Sequence, residues 1–295
     1  MRAACISECM MELFEHPDGR LSRAYGGDTL NTAVYMARLG LAVDYVTALG
    51  TDPFSDEMIA GWAAEGVGTG LVQRVAGTLP GLYMIQTDAA GERRFSYWRD
   101  NAPVRRMLTG ACADNVAAGL RHDLIYLSGI TLSLFGAEGR ARLFDILADA
   151  RAVGSRVAFD TNFRPRGWPD RVEAQDAYRR MMAQSDVVLA GVEDHALLYG
   201  GDGDVRAWAR AEEVVIKLGV PGCVVLCDGQ EAEIMAPIVA DVLDTTAAGD
   251  SFAAAYLAAR AAGATPRAAA EVGHRLAGTV IRHRGAIIPR HAMPM

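Results

Sequence analysis

The run "DTTAAGDSF", residues 244–252, sets two threonines, two alanines, a glycine and two acids ahead of the helix-forming stretch "AAAYLAARAAG". Small side chains at Ala247, Ala248 and Gly249 leave the backbone accessible, and the first turn of a helix carries N–H groups without intrahelical partners. Such a turn can hold phosphate oxygens, and Gly249 can take backbone angles closed to other residues. A carboxylate beside it, Asp250, can take the proton from an attacking hydroxyl while the N–H groups stabilise a transferring phosphoryl group. Taken alone, the stretch reads first as an ordinary cap, because Asp and Ser are favoured at helix starts.

Other residues offer binding chemistry. In "YGGDTLN", Gly26 and Gly27 permit close backbone approach, and Asp28 and Asn31 can hydrogen-bond to hydroxyls. "YWRD" supplies Tyr97 and Arg99, and "DTNFRPR" supplies Arg164; arginine can clamp a carboxylate through two parallel bonds. Asp160, Asn162 and Lys217 stand at strand ends, where open α/β sheets place ligands. Each set also has a bland reading as turn, cap or solvated charge, and only convergence in space separates the two. A P-loop is absent, "GVGTG" at 66–70 lacks the strand-to-helix setting of a dinucleotide fingerprint, and no HExxH occurs. Cys5/Cys9 and Cys223/Cys227 are spaced one residue too widely for CxxC, so reduced buried thiols are expected and no protein metal site.

The elements that must position these residues follow from periodicity. "RAACISECMMELFE" is β-prone with Glu8 as an internal polar point, and "HPDG" is a turn. "GGDTLNTAVYMARLG" is a helix, "VDYVTALG" a buried strand, and "SDEMIAGWAAEG" a helix partially capped at Ser55. Residues 80–99 form two β-rich arms about "DAAGE", a hairpin suited to a small exposed sheet over a pocket. From residue 112 strands alternate with helices, including "DVRAWARAE" as a helix, which calls for a largely parallel sheet covered on both faces. The chain has 295 residues, 51% hydrophobic and 22% charged, with net charge −7, so a nucleic-acid surface is disfavoured. No signal run or 18-residue apolar span occurs; no membrane partner is expected, and the cytoplasm is the default compartment.

Together "GGDTLNTAVYMARLG", "LPGLYMIQTDAAGERRFSYWR", "FDTNFRPRGW", "DTTAAGDSF" and "RGAIIPR" make the chain resemble the ribokinase-like (PfkB) carbohydrate kinases from Ile6 to Pro294. "YWR" and "RGAIIPR" narrow the likeness to the branch acting on 2-keto-3-deoxy sugar acids. The resemblance implies one ribokinase-like three-layer α/β/α domain over 1–295, with a mainly parallel central sheet and a small β lid formed by about 9–25 and 80–100. It implies phosphoryl transfer from ATP to the 6-hydroxyl of 2-keto-3-deoxy-D-gluconate, with Asp250 as base and Ala247, Ala248 and Gly249 as anion hole. Gly27, Asp28 and Asn31 then match sugar-contacting positions, and Tyr83, Tyr97, Arg99 and Arg164 surround the keto acid. Asn162, Lys217, Gly219, Asp228, Gly229, Gly249 and His274 fall to the nucleotide. Mg2+ accompanies ATP, and K+ is a further cofactor in many relatives, near Asp244 and Gly285. A homo-oligomer is expected, a dimer through the exposed aromatic lid. Alternatives left open are another sugar acid, a neutral ketose such as fructose, or a non-catalytic sugar or nucleotide sensor; an NAD-dependent dehydrogenase is disfavoured. Where many relatives carry Asn-x-x-Glu, this chain has Val192 and His195 as apparent equivalents, and Leu218 replaces a residue that is basic in some.

Overall fold

In strand β1 (Arg2–Ile6), Ala3 and Cys5 enter one apolar layer while Ala4 and Ile6 enter another. Successive strand side chains face opposite ways, so a strand apolar at every position after Arg2 must be covered on both sides. The computed structural model describes residues 1–16, 18–87, 93–201 and 204–294. Beside β1 the main sheet runs in the order β14 (Gln230–Met235), β13 (Gly222–Cys227), β12 (Glu213–Lys217), β11 (Val187–Gly191), β10 (Arg156–Asp160), β9 (Leu124–Ser128), β1, β4 (Ala42–Leu49) and β5 (Val67–Gly68). A short β6 (Val72–Arg74) also pairs with β4. Pairing is parallel except in the β12–β13–β14 meander.

One face is covered by α1 (Asp28–Arg38), α2 (Pro53–Ala64), α9 (Ala248–Ala261) and α10 (Pro266–Val280). The other carries α3 (Gly110–Gly119), α4 (Gly129–Leu134), α5 (Ala137–Ala152), α6 (Arg171–Met182), α7 (Val192–Tyr199) and the four-residue α8 (Val205–Trp208). This is the three-layer α/β/α arrangement with a mainly parallel sheet that the sequence implies. Among the described residues no helix is long and apolar enough to cross a membrane.

A second sheet of four strands has the order β3 (Leu21–Gly26), β2 (Met10–Glu15), β7 (Leu82–Thr87) and β8 (Arg93–Trp98). The hairpin arms expected at 80–99 are β7 and β8, paired antiparallel from Leu82↔Trp98 to Thr87↔Arg93. Their "DAAGE" turn lies outside the described residues, as does Pro17 of "HPDG".

Three local expectations change. The opening β-prone run is two strands in two sheets, broken at Ser7–Cys9 around buried Glu8. Helix α2 is capped by Asp52, whose Oδ1 accepts from the Phe54 and Ser55 N–H groups, with Pro53 as first helical residue; Ser55 is already inside. The helix read from "DVRAWARAE" closes after Trp208, since residues 205–208 make one turn and Ala209 is extended.

Candidate active site

The C-terminal ends of the parallel strands, the starts of α1 and α9, and the inner face of the four-stranded sheet enclose a cavity of about 840 Å³. Open parallel sheets favour this edge because helix N-termini and loops converge on it. A smaller cleft of about 450 Å³, bordered by Arg151, Ser155 and Asp186, lies by the start of β10, at the opposite edge.

Helix α9 enters from Ala247, which takes left-handed angles (φ 61°, ψ 15°). The conformational demand that the sequence assigns to Gly249 therefore falls on an alanine, at a cost of order 1 kcal/mol. Neither expected cap residue caps. Asp250 accepts a 2.8 Å bond from Asn31 Nδ2, Ser251 donates to the Ala248 carbonyl, and among the described residues the helix start has no side-chain cap. The first turn is thus left open to the cavity, with Asp250 beside it.

Helix α1 brings the second set. Gly27 is extended, so its need is space: a Cβ there would lie 2.6 Å from the Glu8 carbonyl oxygen. Asp28 Oδ2 accepts from Ser128 Oγ at 2.5 Å and from Asn162 Nδ2 at 2.8 Å, joining α1 to the ends of β9 and β10. Asn162 itself has φ 27°, and the turn holding it is pinned by Asp194, which accepts from Thr161 Oγ1 and the Phe163 N–H. Below that turn, buried Tyr178 donates to the Thr161 carbonyl at 2.6 Å. Arg164, its side chain 59% exposed, therefore leaves a rigid base for the cavity rim.

From the four-stranded sheet, Tyr83 donates its hydroxyl proton to Glu12 on the neighbouring strand, and Tyr97 packs 6.0 Å from its ring. Burial, then the Glu12 charge, raises the Tyr83 phenol well above its ordinary range. At the nucleotide side expected from the sequence, Lys217 Nζ bonds both oxygens of Asp160. Burial opposes the Lys217 charge, but Asp160 outweighs it and the lysine pKa rises; burial raises that of Asp160 despite its partner.

Burial, then repulsion from Asp28, pushes the Asp250 carboxyl up to about 8, while the Asn31 bond works the other way. Six carboxylates line the cavity (Glu12, Asp28, Asp160, Glu193, Asp194 and Asp250) against Arg164 and Lys217. Among the described residues no cluster of three His, Cys, Asp or Glu can hold a metal by itself.

Of the residues expected from the sequence, Ala247, Ala248, Gly249, Asp250, Gly27, Asp28, Asn31, Tyr83, Tyr97, Asn162, Arg164, Lys217 and Gly219 all line this cavity. Four do not. Arg99 turns to Glu8, 2.5 Å away, where the chain crosses between the two sheets. Asp228 and Gly229, both at positive φ, are the turn of the β13–β14 hairpin. Because Cys227 pairs with Glu213 at the start of β12, that turn sits at the opposite edge of the sheet. His274 is buried against Phe252, with ring centroids 4.9 Å apart. His195 likewise packs on Tyr199 and Trp208, and Asp194 occupies the strand mouth instead. Glu12, Ser128 and Asp194 were missed; an acid inside the apolar strand "MMELFE" was the one available signal.

A family model described as pfkB family carbohydrate kinase matches residues 2–293. The chain is 47% identical over 305 residues to the 2-dehydro-3-deoxygluconokinase of Dickeya dadantii, covering 99% of this chain and 98% of that one. It is 44% identical over 307 residues to the protein of the same name from Escherichia coli K12, covering 99% of each. Among solved structures, the fructokinase with bound ATP from Xylella fastidiosa aligns with a TM-score of 0.85 at 24% identity, covering 100% of this chain and 95% of that one.

Proposed function

Since the chain belongs to the pfkB family of carbohydrate kinases, we propose that it transfers the γ-phosphoryl group of ATP to the 6-hydroxyl of 2-keto-3-deoxy-D-gluconate, with Asp250 as base. ATP-dependent phosphorylation of a carbohydrate follows from the family; the acceptor and the residue roles are our reading. The acceptor is inferred from relatives at 44% and 47% identity along nearly their whole length, each a 2-dehydro-3-deoxygluconokinase.

One observation supports the catalytic assignment above the others. Asp250 stands in the first turn of α9 with one carboxylate oxygen held by Asn31 and the other without a hydrogen bond among the described residues. A sugar hydroxyl at the free oxygen gives its proton to Asp250 as its oxygen attacks the γ-phosphorus. The bond to the bridging oxygen breaks and ADP leaves with that electron pair. The open turn at Ala248 and Gly249, together with Lys217, offsets charge on the transferring group.

On the sugar side, Gly27, Asp28 and Asn31 take the hydroxyls, and Arg164 takes the carboxylate beneath Tyr83 and Tyr97. The lid sheet over them excludes water and so limits wasteful hydrolysis of ATP. Lys217, Gly219 and Asn162 form the nucleotide side. The surplus of carboxylates in the cavity fits a magnesium ion that arrives with the phosphates, and Glu193 and Asp194 would hold it. When bound it neutralises phosphate charge. We place K+ near Asp244, which accepts from the Gly285 N–H. Self-association is assigned to the lid sheet, whose β3 and β8 are edges and whose Leu21 and Trp98 are exposed; the compartment is the cytoplasm.

Asp250→Asn tests the assignment. It is expected to keep sugar and nucleotide binding and to lose on the order of 1,000-fold or more in turnover. An unmodified protein that binds both ligands with magnesium and potassium present, yet transfers no phosphate, would establish a sensor instead.

A further inference from the structure

We propose that Asn31 is the positioning residue for Asp250, fixing one oxygen of its carboxylate and leaving the other for the acceptor hydroxyl. This rests on the reading of Asp250 as base and goes beyond a sugar contact for Asn31.

The two residues are 219 positions apart and meet because α1 and α9 pack side by side under the cavity. Asn31 is 5% exposed, and its Nδ2 donates to Asp250 Oδ2 at 2.8 Å. In the ionised form that acts as base, the Asp250 carboxylate only accepts hydrogen bonds, so the amide nitrogen faces it. That orientation leaves Asn31 Oδ1 turned away, buried and without a hydrogen-bond partner. A buried acceptor without a donor is costly, and because Asn31 lines the cavity we assign a hydroxyl of the entering sugar as that donor. One rigid amide thereby registers the base and the acceptor together. At the next position Thr32 Oγ1 lies 3.2 Å from the Asp28 carbonyl and 3.3 Å from the Asp250 carbonyl, its single proton shared between the starts of α1 and α9.

Among the described residues no other group around Asp250 takes this part. Asp28 at the start of α1 and Asp160 at the end of β10 repel its charge. Lys217 at the end of β12 attracts it but is committed to Asp160 by two bonds. The buried hydroxyls of Tyr35 and Tyr126 sense its charge without bonding to its carboxylate. Among the described residues the Asn31 amide is the sole hydrogen-bond donor to this carboxylate, and it favours the ionised form.

The experiment compares pH profiles of kcat and kcat/KM for the unmodified enzyme, Asn31→Ala, Asn31→Ser and Asp250→Asn, with the ATP KM as a check on the nucleotide side. Both Asn31 variants are expected to lose roughly 10- to 100-fold in kcat, the range for a hydrogen bond to a charged group. Their acid limb should move to higher pH while the ATP KM stays unchanged. The serine variant carries the test if the alanine variant does not fold. A change confined to the sugar KM, with kcat and the acid limb unmoved, overturns the proposal and leaves Asn31 a sugar contact. Retained turnover in Asp250→Asn overturns the base assignment itself, a separate outcome read from a separate variant.

Discussion

Lys217 Nζ lies 2.8 and 2.9 Å from the two carboxylate oxygens of Asp160, bridging the ends of β12 and β10 beside the first turn of α9. A Cβ built on Gly249 would be 3.9 Å from the same ammonium, so the lysine stands next to the proposed phosphate turn while its position is set by Asp160.

Removing the ammonium leaves Asp160, fully enclosed, without its cation. Lys217→Met is expected to cost about 2 kcal/mol in urea unfolding, less than a fully buried pair because the Lys217 side chain is 26% exposed. It should also raise the ATP KM. Asp160→Asn should preserve more of the stability but let Lys217 wander, lowering kcat. Equal kinetics in all three proteins would show that the pair is structural only.

Asp250 makes both activity and stability depend on pH. Its ordinary pKa is 3.8, and in the folded protein it is pushed up to about 8, first by burial and then by Asp28. Between those values the folded protein holds a proton that the unfolded chain has released. The stability contribution of this group is therefore fully present below about 3.8 and is lost as pH rises towards 8. Asp250→Asn should gain thermal stability relative to the unmodified protein across that window, with the gain growing as pH increases. For activity the sign is opposite: kcat/KM rises with pH as the base ionises, and Asp28→Asn should move that limb to lower pH. Melting curves and rate profiles from pH 4 to 9 check both signs.

The lid tyrosine depends on a missing side chain. A Cβ on Gly26 would come 1.9 Å from the Tyr83 hydroxyl oxygen, which sits between that glycine and Glu12. Gly26→Ala must displace the ring and break its bond to Glu12. We expect a roughly 10-fold rise in the sugar KM, the effect of about 1.4 kcal/mol, with little change in the ATP KM. Matching rises in both constants would place the damage in the fold as a whole.

The alternation of strands and helices was legible because buried parallel strands are continuous apolar runs and their helices repeat at another period. Glu8 shows what periodicity could not reveal. The apolar pattern runs through it, and only the pairing partners show β1 leaving for the main sheet and β2 for the lid. Asp228 and Gly229 show a local signal outweighed by resemblance: Asp-Gly between two apolar runs is a hairpin turn, and the chain uses it as one. Asp250, Asn31 and Lys217 were each noticeable by type and setting, but their bonds span 219 and 57 positions and no local pattern encodes them.

The most direct measurement is ADP release across a substrate panel: 2-keto-3-deoxy-D-gluconate, its galactonate epimer, other aldonic acids and neutral ketoses including fructose. The unmodified enzyme is expected to favour the keto-deoxy acid over fructose by on the order of 100-fold in kcat/KM, the worth of a charge-assisted carboxylate contact. Arg164→Ala should erase most of that preference, and phosphorus NMR should place the phosphate on the 6-hydroxyl. A higher kcat/KM for a neutral ketose than for every sugar acid would contradict the account.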